Sequence, residues 1–408
     1  MEDISSLKVI FRVNNQNDKS YEPNKISIGP FHNGNQKLKQ LEDHKWRYLA
    51  ALLNRKPNLE ESLDSCVKAL RESEHRARNC YGAPINLSSN DFIQTMLLDS
   101  CFLIELFLKF SIKGLRRRND VIFTTRGFLF DVRRDMVLLE NQIPLFVIQQ
   151  IFHLVPIPPQ CTMSFNELAS RFFKNMIPGD FEFLKDKFNQ EGYHLLDLLR
   201  RCIIPTYSKM TPKDDHNDDQ HSNPDSHLDY ARKLKRAGVR FKKGKYNSLL
   251  LDVKFEHGAI LIPHLKIHEC IEELFKNLIA LESHLDDDTQ QTTSYAFLMR
   301  CLIHSEKDVT FLRKRGILSY YENKEKEIVG MFQKLGNEVT AKDFYYLRLI
   351  EQVNKYKTTS MNAKWEKVKR GYAKTPLSFS VCALAIILLV LTFVGVFFSV
   401  LSFFLHRS

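Results

Sequence analysis

The stretch from Leu377 to Leu405 holds 29 residues without an Asp, Glu, Lys, Arg or His. At about 1.5 Å per residue it can reach about 43 Å as a helix, against a hydrocarbon core of about 30 Å. The run is therefore read as one membrane-spanning helix. Divided by a turn, each half would be too short to cross, so a double-spanning hairpin is not expected. Pro376 suits the first turn of such a helix, because its ring is tolerated there and not in a helix interior.

Flanking residues fit that reading. Trp365 and Tyr372 suit the headgroup level, and Lys367, Lys369, Arg370 and Lys374 place positive charge on the side that stays in the cytosol. No apolar block of signal-peptide length occurs in the first thirty residues. The expectation is a single-pass, tail-anchored protein of the plasma membrane or endomembranes with a cytosolic body. Gly395 and Ser399, four apart, would give a small-residue face for helix pairing.

Charge is unevenly placed. The chain of 408 residues carries a formal net charge of +11. Residues 231–245 contain eight Lys or Arg and no acid, whereas residues 214–229 contain six Asp and no Lys or Arg. Basic charge beside an anchor implies attraction to anionic lipid, at about 1 kcal/mol per residue near the surface. Nucleic acid is not an expected partner. Eight cysteines are scattered without a CxxC pair, which fits free thiols.

The body reads as mainly α, an α+β fold with one or two small antiparallel β-hairpins. Four parts are expected: residues 1–205, the first part of a helical body; 206–230, an acidic disordered linker; 231–375, the second part with a β-hairpin and helices; and the anchor, 376–405. Residues 7–13 and 25–31 read as short β-rich segments. Leu38, Leu41, Tyr48, Leu49 and Leu52 recur at helical spacing. Residues 59–80 form a charged helix, and Ser88 or Ser89 can cap the deeply apolar helix that follows.

That apolar helix, residues 92–110, carries Asp99 and Glu105 among core positions. A second apolar helix is expected over residues 131–144, carrying Arg133, Arg134, Asp135 and Glu140. Buried charges need partners, so cross-helix ion pairs between these two helices are expected. An acid/base site built from the same carboxylates is the alternative, since buried acids also mark active sites. His32 with His44, and the Asp- and His-rich run at 214–221, invite a metal. Neither supplies a ligand set of known spacing. Cys101, flanked by Phe102 and Leu103, suits a small buried hydrophobe.

Further along, residues 249–262 alternate as a β-hairpin turning at Glu256-His257-Gly258. Helices follow over 268–282, 294–305, 308–315, 324–335 and 341–373. No GxGxxG, P-loop, HExxH or GxSxG pattern is present. No catalytic residue, cofactor or metal is assigned, and the chain reads as a non-catalytic interaction protein with an unidentified protein partner.

Three stretches taken together resemble a plant family of membrane-anchored proteins, domain of unknown function 247. They are Ser27-Ile28-Gly29-Pro30-Phe31-His32 with Glu42-Asp43-His44-Lys45-Trp46; Asp99-Ser100-Cys101-Phe102; and Leu138-Leu139-Glu140-Asn141-Gln142-Ile143-Pro144. Gly238-Val239-Arg240-Phe241 and Asn277-Leu278-Ile279-Ala280-Leu281-Glu282 continue the match. Ser100 stands where the family usually has Gly, and Leu377 where it often has Trp. The resemblance implies plant origin, a single C-terminal span and no established activity. For certain grass members of that family a role in self-incompatibility is proposed, which sets the expectation of cell–cell signalling.

Overall fold

The computed structural model describes residues 8–13, 19–55, 59–174, 176, 191–204, 228–245, 248–285, 290–336, 344–359 and 376–405. Within the last of these ranges it describes the side chains of residue 384 and residues 386–399. The expected linker, apart from residues 228–230, and the flanking Trp365, Lys367, Lys369, Arg370, Tyr372 and Lys374 lie outside the described residues.

Helices α1 (Lys39–Leu53), α2 (Leu59–Asn79) and α3 (Ser89–Ser111) open the body. Helix α3 is buried from Phe92 to Lys109 on nearly every face, because its sequence offers no polar stripe to solvent. It starts where expected: Ser88 accepts the Asp91 N–H and so satisfies one of the first free donors. Helices α1, α2, α6 (Leu145–Leu154) and α7 (Phe165–Phe173) pack around it. Between α3 and α6 lie the short α4 (Val121–Thr124) and α5 (Phe128–Asp135).

The second apolar helix expected over residues 131–144 is not formed. Helix α5 ends at Asp135, and the chain turns through residues 136–144 before Pro144 caps α6. The side-chain amides of Asn141 and Gln142 donate to the Asp135 and Met136 carbonyls, and Asn141 Oδ1 accepts the Ile28 N–H, which favours a turn over a helix. Residues 25–31 are likewise not a strand. Ile10 alone bridges to Tyr81 in the first segment.

Helix α8 (Leu195–Ile203) leads to α9 (Ala231–Arg236) and a three-stranded sheet of order β1-β3-β2. Strands β2 (Lys254–Glu256) and β3 (Ala259–Ile262) make the expected antiparallel hairpin, with positive φ at His257 and Gly258 in its turn. Strand β1 (Arg240–Lys243) was not anticipated and pairs parallel to β3, with Phe241 opposite Ile260. The pairing of β4 (Leu265–Lys266) with β5 (Leu318–Ser319) is also parallel. One antiparallel hairpin is thus present among the described residues.

Helices α10 (Ile271–Glu282), α11 (Gln291–Leu302), α12 (Glu306–Lys314), α13 (Glu325–Leu335) and α14 (Leu347–Thr359) complete the body. Gly316, at φ +72°, ends α12 as its sequence position predicts. One continuous buried cluster joins both parts of the body, from Leu103 and Phe107 of α3 to Phe275 of α10 and Tyr295 of α11.

The expected single C-terminal transmembrane helix requires correction. Helix α15 follows Pro376–Leu405, but among the described residues no helix is long and apolar enough to cross a membrane. Its described side chains are those of residue 384 and residues 386–399. These side chains are exposed. The single-pass localisation inferred from the same run falls with it.

Candidate functional site

Lys45 occupies a core position of α1. The apolar stripe of that helix is Leu38, Leu41, Tyr48 and Leu52, and Lys45 completes its spacing. It is 2% exposed. A buried ammonium needs all three of its hydrogens engaged. Lys45 Nζ lies 2.5 Å from the Ser27 carbonyl, 2.7 Å from Glu42 Oε1 and 2.6 Å from Asp99 Oδ1.

Asp99 completes the arrangement from α3. Its Oδ2 accepts the Gly29 N–H at 2.8 Å. Burial pushes its carboxyl up to about 6, against the opposing pull of Lys45, while the neighbouring Glu42 raises it further. Gly29 sits at φ +80°, where a Cβ would strike the Gln142 carbonyl. Only glycine brings this N–H to Asp99 without strain.

Above this floor opens a cleft of about 260 Å³ between α1 and α3. Ser27, Asn33, Asp91, Gln94 and Thr95 contribute polar walls, and Leu87 and Leu98 apolar ones. Trp46 stands at its rim, 47% exposed, a large ring with open area to give to a partner. His44, the neighbour that invited a metal, does not reach this cleft. It lines a separate small hollow with Arg47, Tyr48 and Asp120. Among the described residues no group of acids, histidines and cysteines is placed to hold a metal ion.

The other expected charges take different partners from those foreseen. Glu105 pairs with Arg55 of the α1 C-terminal loop at 2.7 Å and with Lys109 at 4.0 Å. Its carboxyl is raised by burial despite Arg55. Asp135 collects the N–H groups of Asn24, Lys25 and Ile26 at 2.5–3.0 Å, and burial raises its carboxyl against those donors. Glu140 accepts the Val13 N–H at 2.8 Å and meets His32 Nε2 at 3.3 Å. Arg134 reaches Asp135 at 3.4 Å and Glu273 at 3.6 Å.

Arg133 packs its guanidinium over the Phe110 and Phe172 rings at 4.7 and 4.8 Å. Burial lowers its pKa to about 10. Cross-helix ion pairs between the two charged segments are therefore absent among the described residues. The physical reason is the missing helix: with residues 136–144 in a turn, Asp135 and Glu140 face the backbone of residues 13 and 24–26 instead of α3.

Sequence reasoning overlooked Lys45, Arg55, Lys109, Asp120, Asn141 and Gln142. Asn141 takes the Ile28 N–H at 2.7 Å and donates to the Ile26 carbonyl at 3.0 Å. Asp120 accepts from Tyr48 Oη at 2.8 Å and from Lys109 at 2.9 Å. For Lys45 the signal was present, a lysine at a stripe position of α1. For Arg55 and Asp120, both in loops, no periodic signal exists.

These features define a helical protein in which buried acids and amides fasten an irregular N-terminal segment beneath a charged cleft. The chain belongs to the plant protein family of unknown function designated DUF247, whose model matches residues 7–391. It is 29% identical over 398 residues to UPF0481 protein At3g47200 of Arabidopsis thaliana, covering 91% of this chain and 81% of the relative. It is 24% identical over 479 residues to Putative UPF0481 protein At3g02645 of the same plant, covering 95% and 88%. No solved structure gives a significant match.

Proposed function

We propose that this chain is a non-catalytic interaction protein whose cleft between α1 and α3 receives a side chain of a protein partner. The observation that carries the reading is the saturation of the cleft's charged floor. Lys45 Nζ donates to the Ser27 carbonyl and lies 2.7 Å from Glu42 Oε1 and 2.6 Å from Asp99 Oδ1, so it is held among acceptors and not presented as a free nucleophile. Above that floor the half-exposed Trp46 offers the kind of rigid, amphipathic area that interface cores favour.

One observation favours a second reading. Asp99 lies in the floor of the cleft with a carboxyl raised to about 6, a value suited to general acid or base work. The full chain carrying a photo-crosslinking residue at position 46 separates the two. Interaction predicts a discrete adduct in plant cells that disappears with Thr95→Trp, which fills the cleft, while a crosslinker at Tyr321 yields no such adduct. Turnover of ester, phosphoester or glycoside substrates that Asp99→Asn abolishes would instead establish the enzyme.

A further inference from the structure

A second surface lies on the other part of the body. Lys235 and Arg236 end α9, Lys242 and Lys243 end β1, and Lys314 and Arg315 end α12, and all six are exposed. The fold brings these three elements together around Phe311. Lys235 Nζ lies 5.3 Å and the Arg315 guanidinium 5.5 Å from the Phe311 ring centre, and Phe241 meets the same ring edge-on at 5.4 Å. The two charges therefore lie within about 11 Å of each other. Lys243 reaches Gly316, immediately after Arg315.

Neighbouring cations of the same run are neutralised. Arg232 pairs with Asp308 at 3.1 Å, and Lys233 and Lys357 share Asp229 at 2.5 Å. The six exposed ones form no ion pair among the described residues. Part of their placement has a local cause, since cations suit a helix C-terminus and charge discourages pairing at a strand edge. Those causes act on each element separately and do not account for Lys235 and Arg315 meeting over one ring with Lys243 beside Gly316.

We infer that this surface docks an acidic segment of a partner protein. Clustered cations with no acid among them gain most from a ligand carrying several carboxylates, and such charge complementarity accelerates association and rejects basic partners. A nucleic acid fits less well. Sequence-tolerant strand binding uses open aromatic faces for base stacking, and Phe311 already receives Lys235, Arg315 and Phe241.

The test titrates the full chain with fluorescein-labelled poly-glutamate, poly-glutamine and single-stranded DNA at low and high salt. Poly-glutamate is expected to bind, weakening steeply with salt, and poly-glutamine is not. Combined Lys235→Gln, Lys243→Gln and Arg315→Gln should weaken poly-glutamate binding at least roughly ten-fold, as expected for loss of complementary charge. Lys37→Gln with Lys39→Gln, exposed at the start of α1, should leave it unchanged. Should the triple variant fail to fold, Lys243→Gln alone carries the comparison. Absence of poly-glutamate binding, equal loss in both sets of variants, or tighter binding of DNA that the triple variant weakens would overturn the proposal.

Discussion

The Asn277 side-chain oxygen accepts the Leu139 N–H at 2.8 Å, across 138 positions of sequence. Its amide nitrogen donates to the Ser20 carbonyl at 3.0 Å and to the Glu273 carbonyl at 2.8 Å. One fully buried side chain of α10 thus ties the 136–144 turn to the N-terminal segment. Asn277→Ala is expected to leave two distant backbone groups without partners, at about 1–3 kcal/mol each. Urea unfolding should show a lower midpoint with an unchanged slope. An unchanged midpoint would mean that water replaces the amide at no cost.

Asp135 makes a related prediction about the N-terminal segment. Its carboxylate gathers three consecutive N–H groups, and hydrogen bonds to a charged acceptor are worth about 1.5–3 kcal/mol each. Asp135→Ala should speed amide hydrogen exchange at Asn24, Lys25 and Ile26 far more than in the middle of α3. Exchange that rises equally in both places would show that the carboxylate supports the whole fold instead of this segment.

Much of the helical framework was legible because its physics is local. The stripe of α1, the Ser88 cap, the Gly316 stop and the hairpin at His257-Gly258 each follow from spacing or backbone freedom within a few residues. The segments that failed depend on distant groups. Residues 136–144 have apolar content suited to a helix, yet Asn141 and Gln142 are drawn into bonds with residues 26, 28 and 196, which no local pattern records. The same holds for residues 25–31, whose backbone is satisfied by side chains where a ladder was expected. Parallel pairing of β1 with β3 likewise requires knowing what lies beside a four-residue strand.

Thiol chemistry offers a simple check of burial. Burial pushes Cys66, Cys80 and Cys301 up to about 11 and Cys270 up to about 12, so few thiolates exist there at neutral pH. Among the described cysteines Cys161 and Cys301 are partly exposed and the others are buried. Native protein should therefore react with a disulfide reagent at Cys161 well ahead of the buried Cys66, Cys80 and Cys270, as mass spectrometry of the labelled peptides can show. Rapid labelling of Cys66 or Cys270 would contradict the packing of α2 or α10.

Acid stability should reveal two buried groups pulling in opposite directions. His194 is fully buried, with Nε2 3.0 Å from the Val9 carbonyl, and burial lowers its pKa from 6.5 to about 4. Between those values the unfolded chain binds the extra proton, so this histidine makes stability rise with pH. Asp99 has the reverse sign. Its folded value of about 6 exceeds the ordinary 3.8, so the folded chain holds the proton and stability falls as pH rises through that window. In Asp99→Asn the opposing contribution is gone, while Glu105 and Asp135 remain as in the parent. Urea midpoints measured from pH 4 to pH 6 should therefore climb more steeply in Asp99→Asn than in the parent, whatever the absolute stability of the variant. A shallower climb would mean that Asp99 is ionised throughout, with Lys45 outweighing its burial.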